Sequence, residues 1–137
     1  RGHRLVADDV IEIRKTSDGG LSGSAPDLVR YLMELRGIGI VDVRSLYGVG
    51  SVLHNKKIDL VVEMEDWEAE KEYDRLGVAY DTISILGVAL PSILLPVRPG
   101  RNLAIIVEVA AMNFRLKRMG YDAAVEFDKR LLEQLKK

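Results

Sequence analysis

Cysteine is absent from this chain of 137 residues, and histidine and aromatic residues are scarce. Without cysteine there is no disulfide framework and no thiolate nucleophile. His3 and His54 are the only histidines, which leaves too few donors for a structural zinc site and no basis for a Ser-His-Asp triad. These absences exclude disulfide-stabilised folds and thiol enzymes, and the sequence around the two histidines gives no indication of a triad hydrolase.

An excess of charge of one sign and long apolar runs are missing as well. The chain has 20 basic and 21 acidic residues and a net charge of -1, so composition gives no general argument for binding nucleic acid or a membrane surface. The longest apolar stretch, residues 83–97, is interrupted by Pro91 and Pro96 and is too short for a membrane helix. No phosphate-cradling loop of the form GxxxxGKS is present. The size fits one domain.

The apolar pattern predicts strands in the first two thirds of the chain and helices at its end. A strand over Val10–Arg14 followed by the turn residues 17–20 favours a hairpin, whereas later strands are separated by longer segments, so we expect a mixed sheet. Further strands are predicted at 5–7, 38–43, 58–64, 82–86 and 88–97, helices at 26–35, 103–119 and 123–135, and polar loops at 46–57 and 65–77.

Asp8 and Asp9 directly follow the first apolar segment, Leu5–Ala7. A carboxylate at the end of a strand is well placed to bind magnesium or to accept a hydroxyl proton in phosphoryl transfer. The alternative is a strand-to-turn junction in which aspartate caps its own backbone. Composition alone leaves both interpretations open.

Two further segments combine charge with glycine. Residues 34–40 place Glu34 and Arg36 before a Gly-Xaa-Gly turn, where glycine permits close approach of a ligand and also ends helices. Arg98 and Arg101 flank a Pro-Gly turn just before a predicted helix. Both guanidinium groups and helix N-terminal amides bind phosphate or carboxylate. A solvated loop followed by a helix cap is the alternative for the second segment.

Several motifs occur in a fixed order along the chain. They are Arg1–Asp9 (RGHRLVADD), Glu34–Asp42 (ELRGIGIVD), Glu72–Gly77 (EYDRLG), Pro96–Ala104 (PVRPGRNLA) and Glu108–Asn113 (EVAAMN). In this combination the sequence resembles the C-terminal catalytic domain of the bacterial HPr kinase/phosphorylase family, over essentially its whole length.

The resemblance implies a bifunctional, magnesium-dependent enzyme of carbon catabolite control. Such an enzyme phosphorylates a regulatory serine of the phosphocarrier HPr with ATP or pyrophosphate, and removes that phosphate by attack of inorganic phosphate. The implied protein is cytoplasmic and hexameric, with HPr as its partner and with no nucleic acid or membrane partner. The implied fold is α/β, with a mixed β-sheet of a P-loop-kinase-like core, flanking helices and two C-terminal helices.

The motifs also imply roles for particular residues. Asp9 corresponds to the general base that takes the serine proton and returns it in reverse, as microscopic reversibility requires. Arg75 corresponds to a catalytic arginine, and Glu34 to a magnesium ligand, with Asp8 as a second candidate. A signature region spans Met33–Asp42. Its further site residues are Arg36, Gly37, Gly39 and Asp42.

The segment Pro96–Arg101 matches a region linked to dephosphorylation. Within it, we expect Arg98 and Arg101 to clamp phosphate, because guanidinium groups match its geometry. Pro99 and Gly100 would set the turn between them.

In the family, the P-loop and an essential histidine lie upstream of the helix that ends at Arg1-Gly2-His3. We therefore expect residues 1–137 to form a single, partial catalytic domain that is inactive alone, because positioning dominates phosphoryl-transfer catalysis. The alternative is a non-catalytic module for HPr binding and oligomerisation. A third interpretation, a different small-molecule kinase or phosphatase, is disfavoured by the match at Pro96–Arg101.

Overall fold

The structure, a computed structural model, describes residues 2–68 and 80–136, and the chain separates into two units. The first unit comprises Arg1–Asp59 and Leu86–Val88, and the second comprises Leu60–Ile85 and Ala89–Lys137. The strands are β1 (Glu12–Lys15), β2 (Leu21–Ser24), β3 (Leu32–Leu35), β4 (Gly39–Asp42), β5 (Asn55–Lys57), β6 (Val61–Asp66), β7 (Asp81–Ile85) and β8 (Val88–Val97). The helices are α1 (Val43–Tyr47), α2 (Leu103–Arg118) and α3 (Ala123–Leu135), with 3-10 turns at Asp27–Val29 and Val49–Ser51.

A three-stranded antiparallel sheet, in the order β1-β2-β5, organises the first unit. The predicted hairpin is confirmed, because β1 and β2 pair antiparallel around a turn in which Gly19 N–H donates to Thr16 O at 3.1 Å. Strand β2 alternates strictly. Leu21, Gly23 and Ala25 are buried, whereas Ser22 and Ser24 point to the other face. This alternation gives the sheet one apolar face and one polar face.

The predicted helix over residues 26–35 is wrong. Only Asp27–Val29 turns as a 3-10 helix, and the chain then forms the antiparallel hairpin β3-β4. Its turn is closed by Ile38 N–H donating to Leu35 O at 3.1 Å, with Gly37 at a φ of +83°. The apolar residues at 28, 29, 32 and 35 fit a helical face, but a glycine in the left-handed region favours the hairpin. Pairing with β4 therefore overrides helical spacing.

Other predicted elements of the first unit are shifted or reduced. The segment 5–7 contributes one parallel bridge, Leu5 to Val52, rather than a strand. The strand predicted over 38–43 forms as the shorter β4, in which Ile40 is 73% exposed. The loop predicted over 46–57 contains the end of α1, a 3-10 turn and β5, because β5 completes the sheet beside β2.

The second unit contains the sheet β6-β8-β7 and both long helices. Strand β6 begins later than the predicted 58–64 and pairs in parallel with β8. The hairpin β7-β8 is confirmed. Leu86 and Gly87, with φ values of 50° and 78°, form its two-residue turn, which is the combination expected for type I′. A parallel pair beside a hairpin makes this sheet mixed, so a mixed sheet is confirmed here, whereas β1-β2-β5 and β3-β4 are separate antiparallel sheets.

The two C-terminal helices are confirmed, including their caps. Asn102 accepts from Ile105 N–H at 3.3 Å at the start of α2, and Asp122 accepts from Ala124 N–H at 2.9 Å at the start of α3. Helix α2 ends in a Schellman motif, in which Tyr121 N–H donates to Leu116 O at 3.0 Å and Gly120 adopts a φ of +99°. Within the described residues, no helix has the length and apolar character needed to cross a membrane.

Candidate active site

The Asp8-Asp9 segment is anchored by backbone pairing of Leu5. Leu5 N–H donates to Ser51 O at 2.8 Å, and Leu53 N–H donates to Leu5 O at 2.9 Å. Asp8 and Asp9 follow this anchored residue and are exposed. The two carboxylates therefore extend from a single bridged residue and not from the end of a full strand.

A hydrogen bond joins this segment to the signature region. The backbone N–H of Glu34, on β3, donates to Asp8 Oδ2 at 3.1 Å, across 26 positions of sequence. Asp8, Asp9 and Glu34 then line one pocket with a volume of about 200 Å³. Its remaining lining residues are Val10, Val29, Leu32, Met33 and Ile40.

The pocket has an apolar wall and an acidic rim, and it is small. A volume of about 200 Å³ lies below the roughly 300–1,000 Å³ of pockets that enclose drug-sized ligands. It can receive a phosphoryl group or one side chain but cannot enclose a whole nucleotide. Within the described residues, no three His, Asp or Glu side chains are arranged to hold a metal ion. Two carboxylates with phosphate oxygens and water suffice for Mg²⁺, so the residues present fit that ion.

The signature region forms the β3-β4 hairpin and the start of α1. Glu34 faces Ile40 across the hairpin, and Arg36 and Gly37 form its turn. Asp42 caps α1, accepting from Ser45 N–H at 3.1 Å. Hydrogen bonds from the backbone N–H and then the hydroxyl of Ser45 hold the pKa of Asp42 below its ordinary value. Glu34 thus lies on a strand and not, as its sequence context predicts, at a helix end.

The segment linked to dephosphorylation is a tight turn at the start of α2. Arg101 N–H donates to Arg98 O at 3.2 Å, and Gly100 has a φ of +85°. Proline followed by glycine in this position is typical of a type II turn. Arg98 and Arg101 are both exposed at its two ends. The predicted Pro-Gly turn is confirmed.

Trp67 holds one of these arginines, a contact that sequence reasoning missed. The guanidinium carbon of Arg98 lies 4.7 Å from the centroid of the Trp67 ring, and Trp67 N–H donates to Val97 O at 2.9 Å. A cation–π contact of this kind restricts the guanidinium without neutralising its charge. The parallel register of β6 and β8 pairs Asp66 with Val97 and so places Trp67 beside Arg98. No local sequence signal indicates this pairing.

The candidate residues divide between the two units. Asp8, Asp9 and Glu34 come together in the first unit, and Arg98 and Arg101 lie in the second. Arg75, the predicted catalytic arginine, lies outside the described residues, as does most of the loop predicted over 65–77.

Comparison with known proteins identifies the family of this chain. The family model for the HPr serine kinase C-terminal domain matches residues 1–131. Two proteins named HPr kinase/phosphorylase, from Caldanaerobacter subterraneus subsp. tengcongensis and Geobacillus thermodenitrificans, are 59% and 56% identical to this chain. Each match extends over 135 residues, 98% of this chain and 44% of the relative. The chain thus spans less than half the length of the curated relatives it matches.

A solved structure is similar as well. The HPr(Ser) kinase/phosphatase from Coxiella burnetii matches with a TM-score of 0.79 at 37% identity, over 90% of this chain and 75% of that one. The molecule is therefore a mixed α/β protein with the fold of an HPr kinase/phosphatase. The chain belongs to the HPr serine kinase C-terminal domain family.

Proposed function

We propose that this chain is the C-terminal part of an enzyme that phosphorylates and dephosphorylates a serine of HPr. ATP or pyrophosphate donates the phosphoryl group to the serine oxygen. In the reverse direction, inorganic phosphate attacks the phosphoserine phosphorus, releasing serine and pyrophosphate. The observation that carries the proposal is the hydrogen bond from Glu34 N–H to Asp8 Oδ2, which gathers three carboxylates of two separate motifs around one pocket.

Asp9 is the proposed general base. It lines the pocket, and within the described residues its side chain forms no hydrogen bond or ion pair. Asp8, in contrast, is engaged with the Glu34 backbone. A carboxylate without a competing partner is available to take the serine proton as the oxygen attacks phosphorus, and to return it in the phosphorolysis direction.

Mg²⁺ is the proposed metal, with Asp8 and Glu34 as its carboxylate ligands. Both residues line the pocket, and carboxylate oxygens are hard ligands that suit a hard cation. When bound, the ion would neutralise charge on the phosphate oxygens. The protein's own contribution is to hold the two acidic segments together through the Asp8–Glu34 contact.

Arginines are the proposed phosphate ligands. Arg98 and Arg101 flank the type II turn, and Trp67 fixes the Arg98 guanidinium while leaving it charged. Arg75 is the proposed catalytic arginine by its motif. Arg36, Gly37, Gly39 and Asp42 contribute through the geometry of the β3-β4 hairpin and the α1 cap, where they turn the chain and leave Glu34 beside Asp8.

In this proposal, the active enzyme requires a further segment in addition to residues 1–137. The relatives are more than twice as long, and the P-loop of the P-loop-kinase-like core is assigned to the part they have in addition. HPr is the proposed protein partner, a hexamer the proposed assembly and the cytoplasm the proposed location. Residues 1–137 alone are expected not to transfer phosphate.

The first test is the intact mass of HPr after incubation with ATP and Mg²⁺. We expect the full-length protein to add one phosphate, Asp9→Asn to slow the transfer by about 10²–10⁴-fold, and residues 1–137 alone to add none. Asp128→Asn, which removes an exposed carboxylate from α3, is the matched control and should leave the rate unchanged. Full activity of Asp9→Asn would contradict the assigned base, and transfer by residues 1–137 would contradict the need for a further segment.

A second candidate function is a non-catalytic module for HPr binding and oligomerisation. An exposed apolar stripe along α2 favours it, since such a surface is typical of a protein interface. The stripe consists of Ile105, Val109, Met112, Leu116 and Met119. Binding of HPr by the full-length protein without any transfer of phosphate would select this alternative.

A further inference from the structure

A polar cavity lies on the sheet β1-β2-β5 and is separate from the acidic pocket. The register pairs Glu12 with Ser24 and Ser24 with Asn55, and it pairs Arg14 with Ser22. All five side chains share one face, because β2 turns its buried residues to the other. This face is thus polar across all three strands.

The cavity on this face has a volume of about 200 Å³. It shares no lining residue with the pocket of Asp8, Asp9 and Glu34. It is lined by Glu12, Arg14, Ser22, Ser24, Asp27, Arg30, His54 and Asn55. The lining therefore combines two carboxylates with two guanidinium groups, two hydroxyls, an imidazole and an amide.

Arg30 has donor capacity left over. Its Nη2 atom lies 2.6 Å from Asp27 Oδ1 and donates weakly to Ala25 O at 3.4 Å. Its Nε atom is buried and has no hydrogen-bond partner within the described part of the chain. Because Nε is buried, an anion in the cavity can reach this guanidinium only through its Nη groups, which carry four N–H donors.

Arg14 supplies a second guanidinium. It is exposed on β1 and forms no ion pair with any residue of the described ranges 2–68 and 80–136. Of the two lining carboxylates, Asp27 already forms an ion pair with Arg30. Glu12 is therefore the one lining carboxylate that is not paired with Arg30. The hydroxyls of Ser22 and Ser24 add neutral donors beside the two guanidinium groups.

We propose that this cavity binds a small oxyanion of the phosphate type, through Arg14, the Nη groups of Arg30 and the hydroxyls of Ser22 and Ser24. Guanidinium groups bind the oxygens of phosphate in a geometry that ammonium groups do not match. The two positive charges of Arg14 and Arg30 are balanced by the two negative charges of Glu12 and Asp27. Binding of the oxyanion therefore depends on hydrogen-bond donors that point into the cavity. The volume admits a free ion or the phosphate head of a small ester.

Residue-resolved NMR titration of residues 1–137 with inorganic phosphate tests the site. Phosphate should shift the backbone amides of Ser22 and Ser24 and the Nε–H signal of Arg30. Arg14→Gln should weaken this response by about tenfold, because a charge-assisted donor is lost. Arg14 is exposed on β1, so this change leaves the core intact, and Ser22→Ala provides a second variant with a smaller loss.

Lys15→Gln is the matched control. Lys15 is the next residue of β1, exposed and outside the cavity lining, and its replacement by glutamine removes the same positive charge. The Lys15→Gln variant should bind phosphate with the same affinity as the unmodified chain. Equal weakening by both variants, or shifts confined to Arg98 and Arg101, would overturn the proposal. Glycerol phosphate in a parallel titration distinguishes the source of the ligand: similar affinity indicates a phosphate-ester head, and loss of binding indicates the free ion.

Discussion

Two aspartates of the candidate motifs accept hydrogen bonds from backbone amides, and these bonds shape the chain locally. Asp8 receives the Glu34 N–H, and Asp42 receives the Ser45 N–H. Sequence marked both as chemical candidates, but a carboxylate that caps a backbone amide is first a structural group. Asp9 forms no comparable bond in the described ranges, which is why the proposed proton transfer is assigned to it.

The cap at Asp42 predicts a pH dependence of stability. Its pKa is lowered by the Ser45 hydrogen bonds, so the carboxylate stabilises the folded chain above the unfolded pKa, and this contribution is lost as pH falls through the lower folded pKa. Asp42→Asn keeps the cap but removes the charge. The variant should be less stable than the unmodified chain near neutral pH. The difference should shrink as pH falls below the ordinary aspartate pKa of 3.8 and disappear only below the lowered pKa of Asp42 in the folded chain.

Chemical denaturation at a series of pH values measures this difference. Asp128→Asn, on an exposed turn of α3, controls for loss of one negative charge. A constant gap between Asp42→Asn and the unmodified chain from neutral to acidic pH would contradict the assignment.

At the scale of elements, the β3-β4 hairpin depends on glycine in its turn. Gly37 has a φ of +83°, and a Cβ added there would meet no atom within 4 Å. Only the backbone conformation therefore opposes substitution. Gly37→Ala should reduce the free energy of unfolding by about 1–2 kcal/mol, measured by denaturant titration.

Gly50 provides the control for the substitution of Gly37. It is equally open, but its φ lies outside the left-handed region. Gly50→Ala should be neutral or slightly stabilising, because alanine restricts the unfolded chain. If both substitutions cost the same, the left-handed conformation is not what makes Gly37 necessary.

At the scale of the whole molecule, α2 is apolar on two sides. Phe114 is buried on one side and packs edge-on against Tyr80, with ring centroids 5.3 Å apart. The opposite side carries an exposed stripe at spacings of four and three: Ile105, Val109, Met112, Leu116 and Met119. An exposed apolar stripe of this kind is typical of a surface that another protein surface covers, which supports the proposed oligomer.

The stripe predicts self-association that one charge can weaken. Val109→Lys should raise the dissociation constant of the assembly by about tenfold or more, since it replaces buried apolar area with a charge. Sedimentation velocity over a range of concentrations measures this effect. Ala111→Lys, exposed but off the stripe, should associate like the unmodified chain. A monomer at all concentrations, or equal effects of both lysines, would contradict the assignment of the stripe as an interface.

The sequence by itself determined the elements whose signals are local. Asn102 and Gly120 delimit α2, Asp122 begins α3, and Gly87 with its neighbour turns β7 into β8. Caps and tight turns depend on a few adjacent residues, so each could be predicted from the chain alone. The order of the motifs was likewise enough to indicate the family.

Only the tertiary structure decided what depends on distant partners. Residues 32–35 became a strand because β4 pairs with them, although their apolar spacing also fits a helix. The meeting of Asp8 with Glu34, and of Arg98 with Trp67, follows from pairing between segments far apart in sequence. Such contacts stabilise the chain only after it has folded and packed. They therefore cannot be predicted from a short stretch of neighbouring residues.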